Sequence, residues 1–202
     1  MQVRTVAVSL WLGFLAVALG LLFWYSEFVY QLPTPVPAGY QPVAVGTSIH
    51  LPLAMLAGSR PVFLHFFNPD CPCSRFNLPH FRSLVSAYGD RVDFAIVPMV
   101  KAGRTIAVEE IQYLAGVDVP VLLDAGIAEA CGVYSTPQAV LLGDHNKLYY
   151  RGNYNKSRYC TDKKSNYAQM ALDSLLRTHG PPVFGRLAQE AYGCQIPICG
   201  GK

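Results

Sequence analysis

Apolar residues are spread unevenly along the chain. From Val6 to Tyr25 the sequence reads VAVSLWLGFLAVALGLLFWY, without a charge or a proline. As a helix, such a run spans about 30 Å, the thickness of a bilayer's hydrocarbon core. Trp24 and Tyr25 close it, where amphipathic rings favour the interface. QLPTPVPAGYQP follows, from Gln31 to Pro42. Its prolines predict an extended, stiff linker that lifts the remaining chain off the membrane.

From about Val43 the pattern alternates between two periods. Pro61 to Phe67, PVFLHFF, is a short apolar run with the aromatic content of a buried strand. Cys71 to Tyr88 predicts a helix carrying Phe76, Leu78, Phe81, Leu84 and Val85. Val92 to Pro98 predicts a second strand. Thr105 to Gly116 predicts a helix with Thr105 as N-cap and Gly116 as stop. Val119 to Asp124 predicts a third strand, and AGIAEACGV a short helix ending near Gly132. AVLL and LYYR, joined by GDHNK, predict a hairpin, and Ala168, Ala171, Leu172, Leu175 and Leu176 mark one helical face. The expected order is β-α-β-α-β-α-β-β-α, an α/β fold with a central mixed sheet flanked by helices, followed by a tail of about twenty residues. The expected division is an anchor over 1–25, a linker over 26–42 and one domain over 43–202.

Composition sharpens this picture. A net charge of +3, with 14% of residues charged, leaves no electrostatic footprint for nucleic acid. A cleavable signal has a shorter apolar run and a small-residue cleavage site, and SEFVYQLPTP after Tyr25 supplies none. An uncleaved single-pass anchor is therefore expected. Arg4 precedes it, and no Lys or Arg follows before Arg60. The positive-inside rule then places the N-terminus in the cytoplasm and the domain in the periplasm or its equivalent. Six cysteines suit an oxidising compartment and allow fifteen full pairings.

The chemistry concentrates in FFNPDCPCSRF, residues 66 to 76. Cys71 follows a buried strand and opens a helix, where the helix dipole and unpaired N–H groups lower a thiol's pKa. Arg75, one turn on, adds positive charge. The alternative is an inert, buried cysteine.

In these residues the chain resembles the thioredoxin-like superfamily. Cys71 takes the first-cysteine position of the F-x-x-x-x-C-x-x-C pattern, Ser74 falls in the second, and Cys73 lies between. Pro79 sits where the family kinks this helix. YSTPQAVLL is similar to the family's segment with a cis Thr-Pro bond facing the active cysteine, which makes Thr136 and Pro137 the matching residues. GDHNKLYYRG resembles its D-x-x-G-K-x-x-Y-R-G hairpin, with Asn146 for the turn glycine. CPCS (71–74) and GCQI (193–196) are similar to the C-P-x-S and G-C-x-I motifs of membrane-anchored redoxin-type proteins. The resemblance implies thiol–disulfide exchange at Cys71, with Thr136, Pro137 and Arg75 around it. It implies protein thiols or disulfides and a redox donor as partners, and no cofactor.

Ser74 removes the usual second cysteine, so a resolving thiol must come from elsewhere. Cys73 is nearest in sequence and would close a small ring. Cys131, Cys160 and Cys194 could approach only through the fold. Cys131 ends a helix and could equally be packed core. Cys160, in YNKSRYCTDKK, is expected to be exposed and able to pair with a tail cysteine, and Cys199 to be mobile. Two rival readings are a Cu(I) or Zn(II) carrier using Cys71, Cys73 and His80, and a non-catalytic binding module with structural cysteines. No C-x-x-C pair or H-E-x-x-H supports a metal. Peroxidase activity is weakened by Asn68, where a hydroxyl residue is usual. His65 is expected to be a hydrogen-bonded core histidine.

Overall fold

A computed structural model describes residues 2–28, 32–51, 60–101, 103–157, 159–177, 180 and 183–196. Its centre is strand β1, Val62–Phe67, with all six residues buried. Strand β2, Asp93–Pro98, pairs with it in parallel on one side. Strand β4, Gln138–Leu142, pairs antiparallel on the other side, preceded by the short β3, Ser135–Thr136. Strand β5, Leu148–Gly152, completes the sheet in the order β2-β1-β4-β5.

Successive side chains of a strand point to opposite faces. Phe63 and Phe67 therefore join one core cluster, and Val62, Leu64 and Phe66 join the other. The first cluster is covered by helix α2, Pro72–Tyr88, through Leu78, Phe81, Leu84 and Tyr88, spaced as one helical face. The Phe63 ring lies 5.0 Å from Phe94 and 6.2 Å from Phe81. Phe76 stands off that face, 45% exposed, against Tyr159. Helix α3, Val108–Ala115, adds Ile111 and Ala115; α5, Tyr167–Leu176, adds Ala168, Ala171 and Leu172. Helix α4, Gly126–Cys131, covers the second cluster with Ile127 and Ala128. This is the thioredoxin-like arrangement.

Helix α1, Gln2–Ser26, is exposed along its length and has a mean hydropathy of 2.4 over its most apolar window. By length and composition it is able to cross a membrane.

Four expectations change. The strand expected over Val119 to Asp124 is only a single parallel bridge, Ile96 to Val121. Pro120 has no N–H to continue a ladder, and the contact consists of Ile96 N–H to Pro120 O and Leu122 N–H to Ile96 O. The N-cap of α3 is Ala107 rather than Thr105, without a side-chain cap. The proline stretch does not stand free: Thr34 N–H donates to Ala191 O, and Tyr40 Oη to Gly132 O. The tail contains a short helix α6, Arg186–Gln189, and a strand β6, Cys194–Gln195, paired antiparallel with β3. Cys199 lies outside the described residues. The hairpin turn carries His145 and Asn146 at φ 55° and 56°, the region glycine usually takes.

His65 is fully buried on β1, stacked on Phe81 and hydrogen-bonded through Nδ1 to Tyr154 Oη at 2.8 Å. Burial disfavours its cation and holds its pKa at about 3. A folded-state pKa below the unfolded value gives stability that is present above the unfolded pKa, near 6.5, and is lost as pH falls toward about 3. Between pH 6.5 and 5, stability should fall by up to ~1.4 kcal/mol per pH unit from this residue. Thermal melts should show the slope in the native chain and a flatter one in His65→Gln, which is less stable at pH 7. Equal slopes would remove His65 as the acid-sensitive group.

Candidate active site

The site is built where β1 gives way to α2. Cys71 is the N-cap of α2, and Pro72 occupies its first turn, where the missing N–H costs nothing. The turn before it is self-bonded: Cys71 N–H donates to Asn68 O at 3.0 Å and Asp70 N–H to Asn68 Oδ1 at 2.9 Å. Asn68 N–H donates to the buried hydroxyl of Ser74 at 3.2 Å. The hydroxyl in the position of the usual second cysteine thus fastens the loop to the helix. Arg104 reaches in from the β2–α3 connection to bind both carboxylate oxygens of Asp70, and also approaches Glu110.

The second wall is β3. The Thr136–Pro137 peptide is cis, and Thr136 O lies 3.8 Å from Cys71 Sγ. Strand β6 lies along β3 with Ser135 opposite Gln195 and Thr136 opposite Cys194. That register brings Cys194 to Cys71, and the two form a disulfide across 123 residues, with Cα atoms 6.0 Å apart. Ile196 N–H donates to Tyr134 O, and the Ser135 hydroxyl lies 3.2 Å from the carbonyl oxygens of Tyr192 and Cys194. Thr34 Oγ1 meets the same hydroxyl at 2.8 Å.

Of the residues singled out in the sequence, the fold brings together Cys71, Thr136, Pro137 and Cys194. Cys73 is buried in the first turn of α2 and is not bonded to Cys71. Arg75 is exposed on α2. Cys131 ends α4 in the second core cluster, and desolvation pushes its thiol up to about 12. Cys160 is half-buried against the first cluster rather than exposed, and burial pushes its thiol up to about 12 as well. It does not pair with the tail cysteine at Cys194, which Cys71 holds. His80 stands edge-on to Tyr154 at 5.7 Å, and burial lowers its pKa. Among the described residues no three metal-ligating side chains converge, and the Cys71 sulfur is bonded to Cys194. Sequence reasoning missed Ser135, which has no motif of its own. It also missed the part played by Gly193 and Ile196, which lay inside the quoted GCQI.

The family described as a domain of unknown function, DUF6436, matches residues 41–197. The chain belongs to the DUF6436 family. Its fold is shared with a hypothetical protein of Sinorhizobium meliloti 1021, at 21% identity and a TM-score of 0.66 over 80% of this chain and 98% of that one. An uncharacterized conserved protein from Geobacillus kaustophilus is also similar: 21% identity, TM-score 0.59, 71% of this chain and 80% of that one. StoA from Bacillus subtilis overlaps 46% of this DUF6436 chain and 72% of its own length, at 23% identity and a TM-score of 0.40. No curated protein matches.

Gly193 has φ 116°, and a Cβ there would meet the Thr136 carbonyl oxygen. A side chain in such a conformation costs about 1–3 kcal/mol. Gly193→Ala should therefore push β6 off β3 and make the Cys71–Cys194 disulfide easier to reduce, by about tenfold in equilibrium constant for ~1.4 kcal/mol. Titration with dithiothreitol, read by mass after alkylation, measures this. An unchanged midpoint would mean that the β3–β6 contact does not support the disulfide.

Proposed function

We propose that this chain is a membrane-anchored thiol–disulfide oxidoreductase of the extracytoplasmic space, with Cys71 as nucleophile and Cys194 as its resolving partner. The observation that carries the reading is the Cys71–Cys194 disulfide at the start of a helix, beside the cis Thr136–Pro137 peptide. As a thiolate, Cys71 faces the positive end of α2 and its unpaired N–H groups. Thr136 offers its carbonyl to the protonated form.

The exchange balances without a cofactor. Cys71 thiolate attacks one sulfur of a substrate disulfide; the new S–S bond forms as the substrate's own breaks, and the other substrate sulfur leaves as a thiolate. Cys194 thiolate then attacks Cys71 Sγ, releasing the second substrate thiol and restoring Cys71–Cys194. The substrate gains two electrons and two protons, which a dithiol donor later returns to the enzyme. Run backwards, the same steps oxidise a substrate dithiol. Ser74 and Cys73 take no part in this cycle: the Ser74 hydroxyl is engaged by Asn68 N–H, and Cys73 is inside.

Three serine variants test the roles. Cys71→Ser should form no mixed disulfide with a model substrate and lose turnover entirely. Cys194→Ser should accumulate a Cys71 adduct, seen by intact mass. Cys73→Ser should turn over at close to the native rate. Trapping in Cys73→Ser instead would make Cys73 the resolver. In the reduced chain, the pH midpoint of Cys71 alkylation should lie below the free-thiol value of about 8.5; a midpoint at or above it removes the argument for a nucleophile.

Anchoring rests on the exposed apolar helix α1. The native protein should stay with membranes through an alkaline wash and retain residues 2–26 by mass. A mature N-terminus near Ser26 would overturn the anchor while leaving the redox chemistry standing.

A further inference from the structure

With β6 in place, Cys71 is only 1% exposed. Its sulfur is bonded to Cys194 of β6, so a protein disulfide that is to react at Cys71 needs that bond opened and β6 moved aside. The edge that β6 leaves on β3 then offers the Thr136 and Tyr134 backbone, which β6 now engages. An extended segment can add to such an edge by main-chain hydrogen bonds, with side-chain pockets setting preference. Building on the exchange activity proposed above, we propose that β6 is a resident stand-in for the substrate, and that its residues state the pattern of the segment that replaces it. That segment carries the reacting cysteine opposite Thr136, a glycine directly before it and an aliphatic residue two places after it.

Each position has its own reason. Cys194 sits opposite Thr136 in the register that puts its sulfur on Cys71. A Cβ at Gly193, where φ is 116°, would meet the Thr136 carbonyl oxygen, and a segment that keeps both this register and this backbone conformation meets the same oxygen. Ile196 is buried, packed in the second core cluster, whereas Gln195 between them is exposed. An apolar site therefore waits two residues beyond the cysteine. A charge placed in it would lose its hydration without a partner.

The anchor of the tail lies just before β6. Tyr192 is buried, bridges to Pro33 and donates its hydroxyl to Asn155 O at 2.8 Å. Displacement then begins at Gly193, and the incoming segment turns away at its own glycine. Cys194 stays two residues from a fixed point, so it returns to β3 as it resolves the mixed disulfide. Strand return and bond exchange become one event: Cys71 to substrate breaks as Cys71–Cys194 forms, and the substrate loses its edge.

The test uses the full chain in detergent micelles, as Cys194→Ser, fully reduced. It is offered disulfide-linked dimers of three acetylated peptide amides: Gly-Cys-Gln-Ile, Ala-Cys-Gln-Ile and Gly-Cys-Gln-Asp. Glutathione disulfide is the reference. Rates of adduct formation at Cys71 are read by intact mass and normalised to each dimer's reaction with free glutathione. The first peptide should react at least tenfold faster than the other two and than glutathione disulfide. Rates within twofold across all three peptides would overturn the assigned pattern while leaving Cys71 an active nucleophile. Absence of any adduct, glutathione included, would overturn the exchange activity and the pattern with it. Reduced native chain, followed by consumption of each dimer, should give the same ranking; a different ranking would trace the preference to the substitution and overturn the pattern. If the oxidised native chain instead runs as a covalent dimer joined by Cys71 to the partner's tail, the edge belongs to a second copy and the proposal fails.

Discussion

Strand β1 is buried on both faces, and the other elements are arranged by the need to cover it. Six consecutive buried residues leave no polar face to give to water. Two layers of helix follow from that, α2, α3 and α5 on one side and α4 on the other. At ~25 cal/mol per Å² of apolar surface, each buried aromatic of this strand contributes on the order of 2–3 kcal/mol. Placing Cys71 is a by-product. The chain leaves β1 in the sheet's interior and must turn at once into α2, so the turn from Asn68 to Cys71 is short and internally bonded.

The tail completes the site. A strand of two residues has few hydrogen bonds, each worth about 1 kcal/mol net, and ordering the segment opposes them. Strand β6 is held to β3 by that modest ladder, by the burial of Ile196 and by a covalent bond that chemistry can break. A contact so balanced suits a strand that leaves and returns. The neighbouring thiols are of a different kind: Cys131 and Cys160 are held protonated by desolvation, far from the ionisation that exchange requires.

Much of the frame is legible in the residues. The apolar, aromatic-rich run VFLHFF, the helical spacing of Leu78, Phe81 and Leu84, and the stops at Gly116 and Gly132 are local signals with local causes. The His65 environment follows from its place on a strand with no polar face. The third strand misled because Val119 to Asp124 has the apolar content of a strand, while Pro120 lacks the N–H to extend one. Thr105 misled because a good cap residue is a preference, and the helix begins at Val108 with Ala107 as its N-cap.

The sequence by itself determined an apolar span at residues 6–25, the alternation of strands and helices, and a cysteine at the mouth of a helix; a Thr-Pro bond facing that cysteine was implied only by the family resemblance, and the fold brings the two together across 65 residues. The span, the alternation and the cysteine's place depend on residues near one another, where spacing and turn chemistry suffice. Only the tertiary structure decided which of the other five cysteines meets Cys71. Cys73 is two residues away, but helix α2 turns it inward. Cys194 is 123 residues away, but strand pairing delivers it, and that pairing depends on the Thr136 edge, on Gly193 lacking a side chain and on a pocket for Ile196. Contacts made by folding across such a distance are set by the shape of the whole sheet, which no short stretch of sequence contains.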